Sequence, residues 1–98
     1  MAKLSDIGER GAIEVLARIY DRGQPIGLGH DCGAVEWGDD YLVVTTDVVN
    51  AKTHIPPGAT PPQIGWYATA VNLSDIAAAG ARPLGFVAAL SMPASTDV

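Results

Sequence analysis

The segment that organises this chain runs from Ala70 to Ala81 and reads AVNLSDIAAAGA. It sets one carboxylate, Asp75, within a run of small apolar residues that is typical of a buried helix face. No lysine or arginine lies between Lys52 and Arg82, so this acid has no basic partner nearby in sequence. An unpaired carboxylate is costly to bury, and proteins neutralise it, pair it or give it a metal. Asp75 is therefore a candidate functional residue, and the alternative is a solvated acid on an ordinary helix.

Local signals predict where this helix begins and ends. Thr60 is a predicted N-cap, Pro61 stands at the first helical position, and Gln63 completes a capping box. The helix should continue to about Ala79, and Gly80 should end it.

Composition limits the classes of function. Eleven acids against six bases give a formal charge of −5, which argues against a nucleic-acid or anionic-membrane surface and fits a site that collects cations.

At 98 residues the chain is predicted to be one domain, residues 1–98, with a modest core. The single Cys32 excludes an internal disulfide, and we expect it to be a small buried residue. There is no signal peptide and no apolar run of membrane length, so the expected location is cytoplasmic.

The N-terminal region has helical periodicity. Apolar spacing predicts a helix over Ser5–Arg22 that ends at Gly23 and turns a stripe towards the core, consisting of Ile13, Leu16, Ala17 and Tyr20. A glycine- and proline-rich connector is predicted for residues 24–29.

A β-hairpin is predicted next, with strands over residues 33–37 and 41–46 and a three-residue turn over residues 38–40. A turn centred on its middle residue places Asp31 directly opposite Asp47. Carboxylates facing each other at that distance repel, so the pair predicts a bound cation between them. The alternative is that the strands diverge earlier and both acids are hydrated.

A third strand is predicted over residues 84–92, apolar on both faces like the second strand of the hairpin. Strands covered on both sides belong to a layered fold. The expected class is α+β: a small mixed or antiparallel sheet with two helices packed on one face, and more sheet or another subunit on the other.

Three stretches together resemble the N-terminal domain of the thiamine-monophosphate kinase family, which belongs to the superfamily that includes aminoimidazole ribonucleotide synthetase. They occur in the family's order and spacing and extend over nearly the whole chain. The stretches are GLGHDC at residues 27–32, VTTD at residues 44–47 followed by His54, and AVNLSD at residues 70–75 followed by AAAGARP at residues 77–83.

The resemblance implies a chemistry and a set of site residues. Family members transfer the γ-phosphoryl group of ATP to thiamine monophosphate, with Mg²⁺ ions held by aspartates, and they form homodimers with a barrel-like core. His54 matches a substrate-contacting position. The positions that match metal ligands are Asp31, Thr45, Thr46, Asp47 and Asp75.

The chain departs from the family pattern in two ways. His30 stands where the family usually has a second acid, which lowers the negative charge of the site. The family's Gly-Gly-Asp motif and C-terminal domain are absent from these residues, so we expect the 98 residues alone to be inactive. Two alternatives remain at this stage. The first is another ATP-using enzyme of the superfamily, such as a hydrogenase maturation factor, and the second is a non-catalytic dimerisation module with solvated acids.

Overall fold

The computed structural model describes residues 1–20, 28 and 30–97. Its elements, in chain order, are α1 (Leu4–Tyr20), β1 (Gly33–Trp37), β2 (Asp40–Val44) and α2 (Pro61–Ala78). Two helices and one two-stranded antiparallel sheet make this a small α+β fold, as predicted. The predicted end of the first helix at residues 22–23 lies outside the described residues, as does most of the predicted connector.

The start of α2 confirms the predicted capping box. The Thr60 hydroxyl accepts the Gln63 backbone N–H at 3.4 Å, and the Gln63 side-chain oxygen accepts the Thr60 N–H at 2.8 Å. Two of the N–H groups that lack helical partners are satisfied in this way. Pro61 follows as the first helical residue, where its missing N–H costs nothing.

The end of α2 is closed by a Schellman motif. Gly80 has a φ of 69° and donates its N–H to the Ala77 carbonyl at 2.9 Å. Ala81 donates its N–H to the Ile76 carbonyl at 3.1 Å. The helix therefore ends where the sequence predicts, because glycine adopts this left-handed backbone without steric cost.

The hairpin forms, but its register differs by one residue from the prediction. Gly33 pairs with Val44, and Trp37 pairs with Asp40. The turn has two residues rather than three, because Gly38 has a φ of 63° at the first turn position, which favours the tight type II′ geometry. The predicted direct opposition of Asp31 and Asp47 is therefore wrong.

Helix α1 is present, but its predicted core stripe is not buried: Ile13 and Ala17 are half-buried, and the other two residues are exposed. No residue of α1 is buried, and Leu16 and Tyr20 are 44% and 65% exposed. Gly8 interrupts the helix with a φ of 66° and a ψ of −175°. In the described part of the chain the buried apolar residues are Cys32 and Ala34, which lie at the start of the hairpin. Among the described residues, neither helix packs on a face of the sheet as expected.

The predicted third strand is wrong for this structure, because residues 84–92 form neither helix nor strand. A strand requires a hydrogen-bonded neighbour, and the sheet consists of β1 and β2 alone among the described residues. Leu84, Phe86 and Leu90 are each more than 70% exposed. The radius of gyration is 16.7 Å, against about 13 Å for a compact domain of this length, so the chain is open.

Candidate functional site

The candidate site lies where the open end of the hairpin meets the last turn of α2, and Thr45 stands at its centre. The Thr45 hydroxyl is 3.1 Å from the Asp31 carbonyl oxygen and 3.3 Å from Asp75 Oδ2. A hydroxyl carries one proton, so it cannot donate fully to both acceptors. Three oxygen atoms from distant parts of the sequence therefore converge with only one proton among them.

Cys32 joins the same two elements from the buried side. Its thiol donates to the Asp75 backbone carbonyl at 3.1 Å, and the side chain is 5% exposed. The prediction of a small buried cysteine is confirmed. Because Cys32 follows Asp31 and immediately precedes β1, this contact holds the start of the strand against α2.

The position of Asp75 on its helix is electrostatically unfavourable. It lies in the last turn of α2, which contains no basic residue. The unsatisfied carbonyls at a helix C-terminus carry partial negative charge, which disfavours a carboxylate there by about 0.3–1 kcal/mol. The half-buried side chain has the Thr45 hydroxyl as its partner, and no lysine or arginine of the described chain pairs with it. A cation bound here would offset this repulsion.

The predicted acids do not form a ready-made metal centre. Among residues 1–20, 28 and 30–97, no three histidine, cysteine, aspartate or glutamate side chains lie close enough to hold an ion. Asp47 is exposed, and its carboxylate accepts the backbone N–H of Val48 at 3.2 Å. Thr46 is also exposed, beyond the end of β2. The structure thus brings together the Asp31 backbone carbonyl, the Thr45 hydroxyl and the Asp75 carboxylate. The metal-binding roles of all five positions stay predictions.

His54 lies in a turn after β2, at a cavity that Asp31, Thr45 and Asp75 do not line. It lines this surface cavity, of about 480 Å³, together with Trp66 and Tyr67 of α2. Its Nδ1 is 3.0 Å from the Asn50 backbone nitrogen and 2.9 Å from the Thr53 hydroxyl oxygen.

Sequence reasoning missed several neighbours of these predicted residues. Cys32 was expected to be buried but not to contact α2, and no periodicity predicts a contact across 43 residues. A turn at Asn50 and Thr53 could have been predicted, because asparagine side chains bond to the nearby backbone in turns and threonine hydroxyls do so more weakly. Trp66 had no such signal, because an aromatic residue on a helix is typical of a core.

Comparison with protein families gives a match that contains the candidate site. Residues 29–98 match the N-terminal domain of the AIR synthase related proteins, which is well over half of the chain. The chain belongs to this family. The match includes β1, β2, α2 and all of the candidate site residues.

Curated relatives of this AIR synthase related chain are thiamine-monophosphate kinases. The kinase of Archaeoglobus fulgidus is 48% identical over 63 residues, which is 64% of this chain and 21% of the relative. That of Aquifex aeolicus is 31% identical over 96 residues, 98% of this chain and 30% of the relative. That of Escherichia coli is 34% identical over 90 residues, 85% of this chain and 28% of the relative.

The chain therefore spans less than a third of the length of these relatives. No solved structure matches it. Within the described segments, neither helix combines the length and the apolar character needed to cross a bilayer.

Proposed function

We propose that this AIR synthase related chain is the N-terminal part of a cytoplasmic thiamine-monophosphate kinase. The whole enzyme would transfer the γ-phosphoryl group of ATP to thiamine monophosphate, giving thiamine diphosphate. The names of the relatives support the reaction, and one structural observation supports the site: the Thr45 hydroxyl lies between the Asp31 carbonyl and the Asp75 carboxylate. The 98 residues alone are expected to be inactive, because the relatives are more than three times as long.

The chemistry of these donors fits Mg²⁺. Carbonyl, hydroxyl and carboxylate oxygens are the hard ligands that this ion prefers, and it commonly retains several waters beside one or two carboxylates. In the proposed site Asp75 and Thr45 would hold the ion, with Asp31, Thr46 and Asp47 completing the set. Bound Mg²⁺ supplies positive charge to the phosphate oxygens as the phosphoryl group moves.

The part of this chain in the reaction is to position charge. No nucleophilic side chain is required, because the substrate phosphate itself attacks the γ-phosphorus in line. Asp75 is fixed from two sides, through the Thr45 hydroxyl on its carboxylate and the Cys32 thiol on its backbone carbonyl. Such fixed ligands reduce the reorganisation needed when charge develops. His54, at the separate cavity, would contact thiamine monophosphate.

The test compares Asp75→Asn with Asp39→Asn in the purified kinase. Both changes remove one negative charge, but Asp39 lies in the exposed hairpin turn, away from the site. Substitution of a residue that hydrogen-bonds to a metal ligand weakens metal affinity by about 10–100-fold. Loss of a ligand itself should therefore weaken metal affinity by at least this factor. We expect Asp75→Asn to raise the Mg²⁺ concentration for half-maximal activity by more than about tenfold. Equal behaviour of the two variants would remove Asp75 from the metal site.

Substrate choice separates the kinase from other ATP-using enzymes of the superfamily. Thiamine monophosphate should raise the unfolding temperature of the protein in the presence of Mg²⁺ and a non-hydrolysable ATP analogue. Other phosphorylated substrates serve as comparisons. Stabilisation by one of those, and not by thiamine monophosphate, would favour the other enzyme.

The exposed segment 84–92 supports a homodimer with a barrel-like core, in which this segment becomes a strand against the sheet. Phe86 is 74% exposed and Leu90 is 77% exposed, which is unusual for neighbouring large apolar side chains in a monomer. Sedimentation should show a dimer that Phe86→Glu dissociates and that Thr96→Glu, in an exposed turn, leaves intact. A dimer that forms but does not respond to Mg²⁺ or ATP would instead indicate a dimerisation module.

A further inference from the structure

The loop of residues 50–54 is closed on itself by hydrogen bonds, and His54 is one of its partners. The Asn50 carbonyl accepts the backbone N–H groups of Thr53 and His54, at 3.2 and 2.9 Å. The Asn50 side-chain oxygen accepts the Lys52 N–H at 2.8 Å. In return, the Asn50 N–H lies 3.0 Å from His54 Nδ1. This reciprocal arrangement resembles a capping box, with an imidazole in the place of the glutamine.

The Asn50 contact fixes the direction of hydrogen bonding at the ring. A backbone N–H can only donate, so His54 Nδ1 must accept and cannot carry a proton in this arrangement. The Thr53 hydroxyl, 2.9 Å from the same nitrogen, must then also donate to it. A neutral imidazole with a bare Nδ1 carries its proton on Nε2.

We propose that Asn50 and Thr53 are positioning residues that hold His54 as the Nε2–H tautomer. The described part of the chain gives Nε2 no hydrogen-bond partner, and the ring lines the cavity of about 480 Å³. His54 therefore presents an N–H donor to a bound molecule. The group it recognises is a hydrogen-bond acceptor, such as a phosphate oxygen or a ring nitrogen. The step from this donor to thiamine monophosphate rests on the proposed function.

The tautomer can be read directly from the ring nitrogens. In protein labelled with ¹⁵N-histidine, long-range proton–nitrogen correlation spectra separate a bare, pyridine-type nitrogen from a protonated, pyrrole-type one. The His54 signals are assigned by their loss in His54→Gln. We expect a pyridine-type Nδ1 and a pyrrole-type Nε2 in the purified protein at neutral pH. A pyrrole-type Nδ1 would overturn the proposal, whether or not the protein is a kinase.

The role of Thr53 is tested with Thr53→Val, and Thr53→Ser serves as the matched control that keeps the hydroxyl. In the whole enzyme, Thr53→Val should shift the Nδ1 resonance and raise the KM for thiamine monophosphate about fivefold, the factor expected for one hydrogen bond, with kcat unchanged. Thr53→Ser should leave both near the original values. If Thr53→Val changes neither the nitrogen shifts nor KM, Thr53 does not position the ring.

Failure of the proposed function has a different signature. In that case the whole enzyme would show the Nε2–H tautomer but would not turn over thiamine monophosphate. If the proposed function holds, addition of thiamine monophosphate, with thiamine as the phosphate-free comparison, identifies the acceptor. A shift of Nε2 with the monophosphate alone assigns the contact to the phosphate, and equal shifts with both assign it to the rings.

Discussion

Replacing Gly80 with alanine should destabilise the protein, and the same replacement at Gly65 should stabilise it. Gly80 follows the end of α2 with a φ of 69°, and a Cβ built there meets no atom within 4 Å. Because the added methyl group clashes with nothing, Gly80→Ala should lower the free energy of unfolding only through the strain of the left-handed backbone. That strain is about 1–2 kcal/mol for a residue with a Cβ.

Gly65 is the matched control because it lies inside α2 and a Cβ there also meets nothing within 4 Å. Alanine is favoured over glycine inside a helix by about 0.8–1.0 kcal/mol. The free energies of unfolding of Gly80→Ala and Gly65→Ala should therefore differ by roughly 2–3 kcal/mol, with opposite signs relative to the original protein. Urea unfolding measures both from the midpoints at constant m value. If Gly80→Ala is as stable as Gly65→Ala, the backbone at the end of α2 does not control where the helix stops.

Three further substitutions test the N-cap of α2 and two contacts of the candidate site. Thr60→Ala should lower the free energy of unfolding by about 1 kcal/mol through loss of the cap on Gln63, whereas Thr60→Ser should stay close to the original in the same urea titration. Thr45→Val should weaken Mg²⁺ binding measured by calorimetry, because valine lacks the oxygen near Asp75, and Thr45→Ser should retain it. Equal Mg²⁺ binding by the two variants would exclude Thr45 as a ligand. Cys32→Ala should lower the unfolding free energy by about 1 kcal/mol, because the Asp75 carbonyl loses its thiol partner, and Cys32→Ser should restore part of that loss.

Helix α2 could be predicted from sequence because its signals are local. Thr60 and Gln63 lie three residues apart, and Gly80 directly follows the C-cap, so each end is specified by its own neighbours. The hairpin was predicted for the same reason. Its register was not, because one residue at the turn, Gly38, decides between two and three turn residues, and the flanking apolar residues fit either pairing.

The errors fall where a prediction depends on a partner distant in sequence or absent from the chain. Residues 84–92 have the composition of a strand, but no edge of the small sheet pairs with them. Likewise, the apolar stripe of α1 predicts burial without indicating what covers it. The resemblance gave the residues of the candidate site, and hairpin geometry gave an incorrect reason for pairing Asp31 with Asp47. The Thr45–Asp75 contact spans 30 residues and had no local signal.

The two hydrogen bonds to Asp75, from Thr45 and Cys32, have a consequence for the order of folding. The capping bonds and the hairpin join residues close in sequence, whereas the Thr45 and Cys32 bonds close loops of 30 and 43 residues. Long loops lose more entropy on closure, so these bonds should form after the helix and the hairpin. Substitutions at Thr45 or Cys32 should consequently speed unfolding while leaving the refolding rate nearly constant. The chain would then complete its structural elements first and bring the oxygen atoms of the candidate site together last.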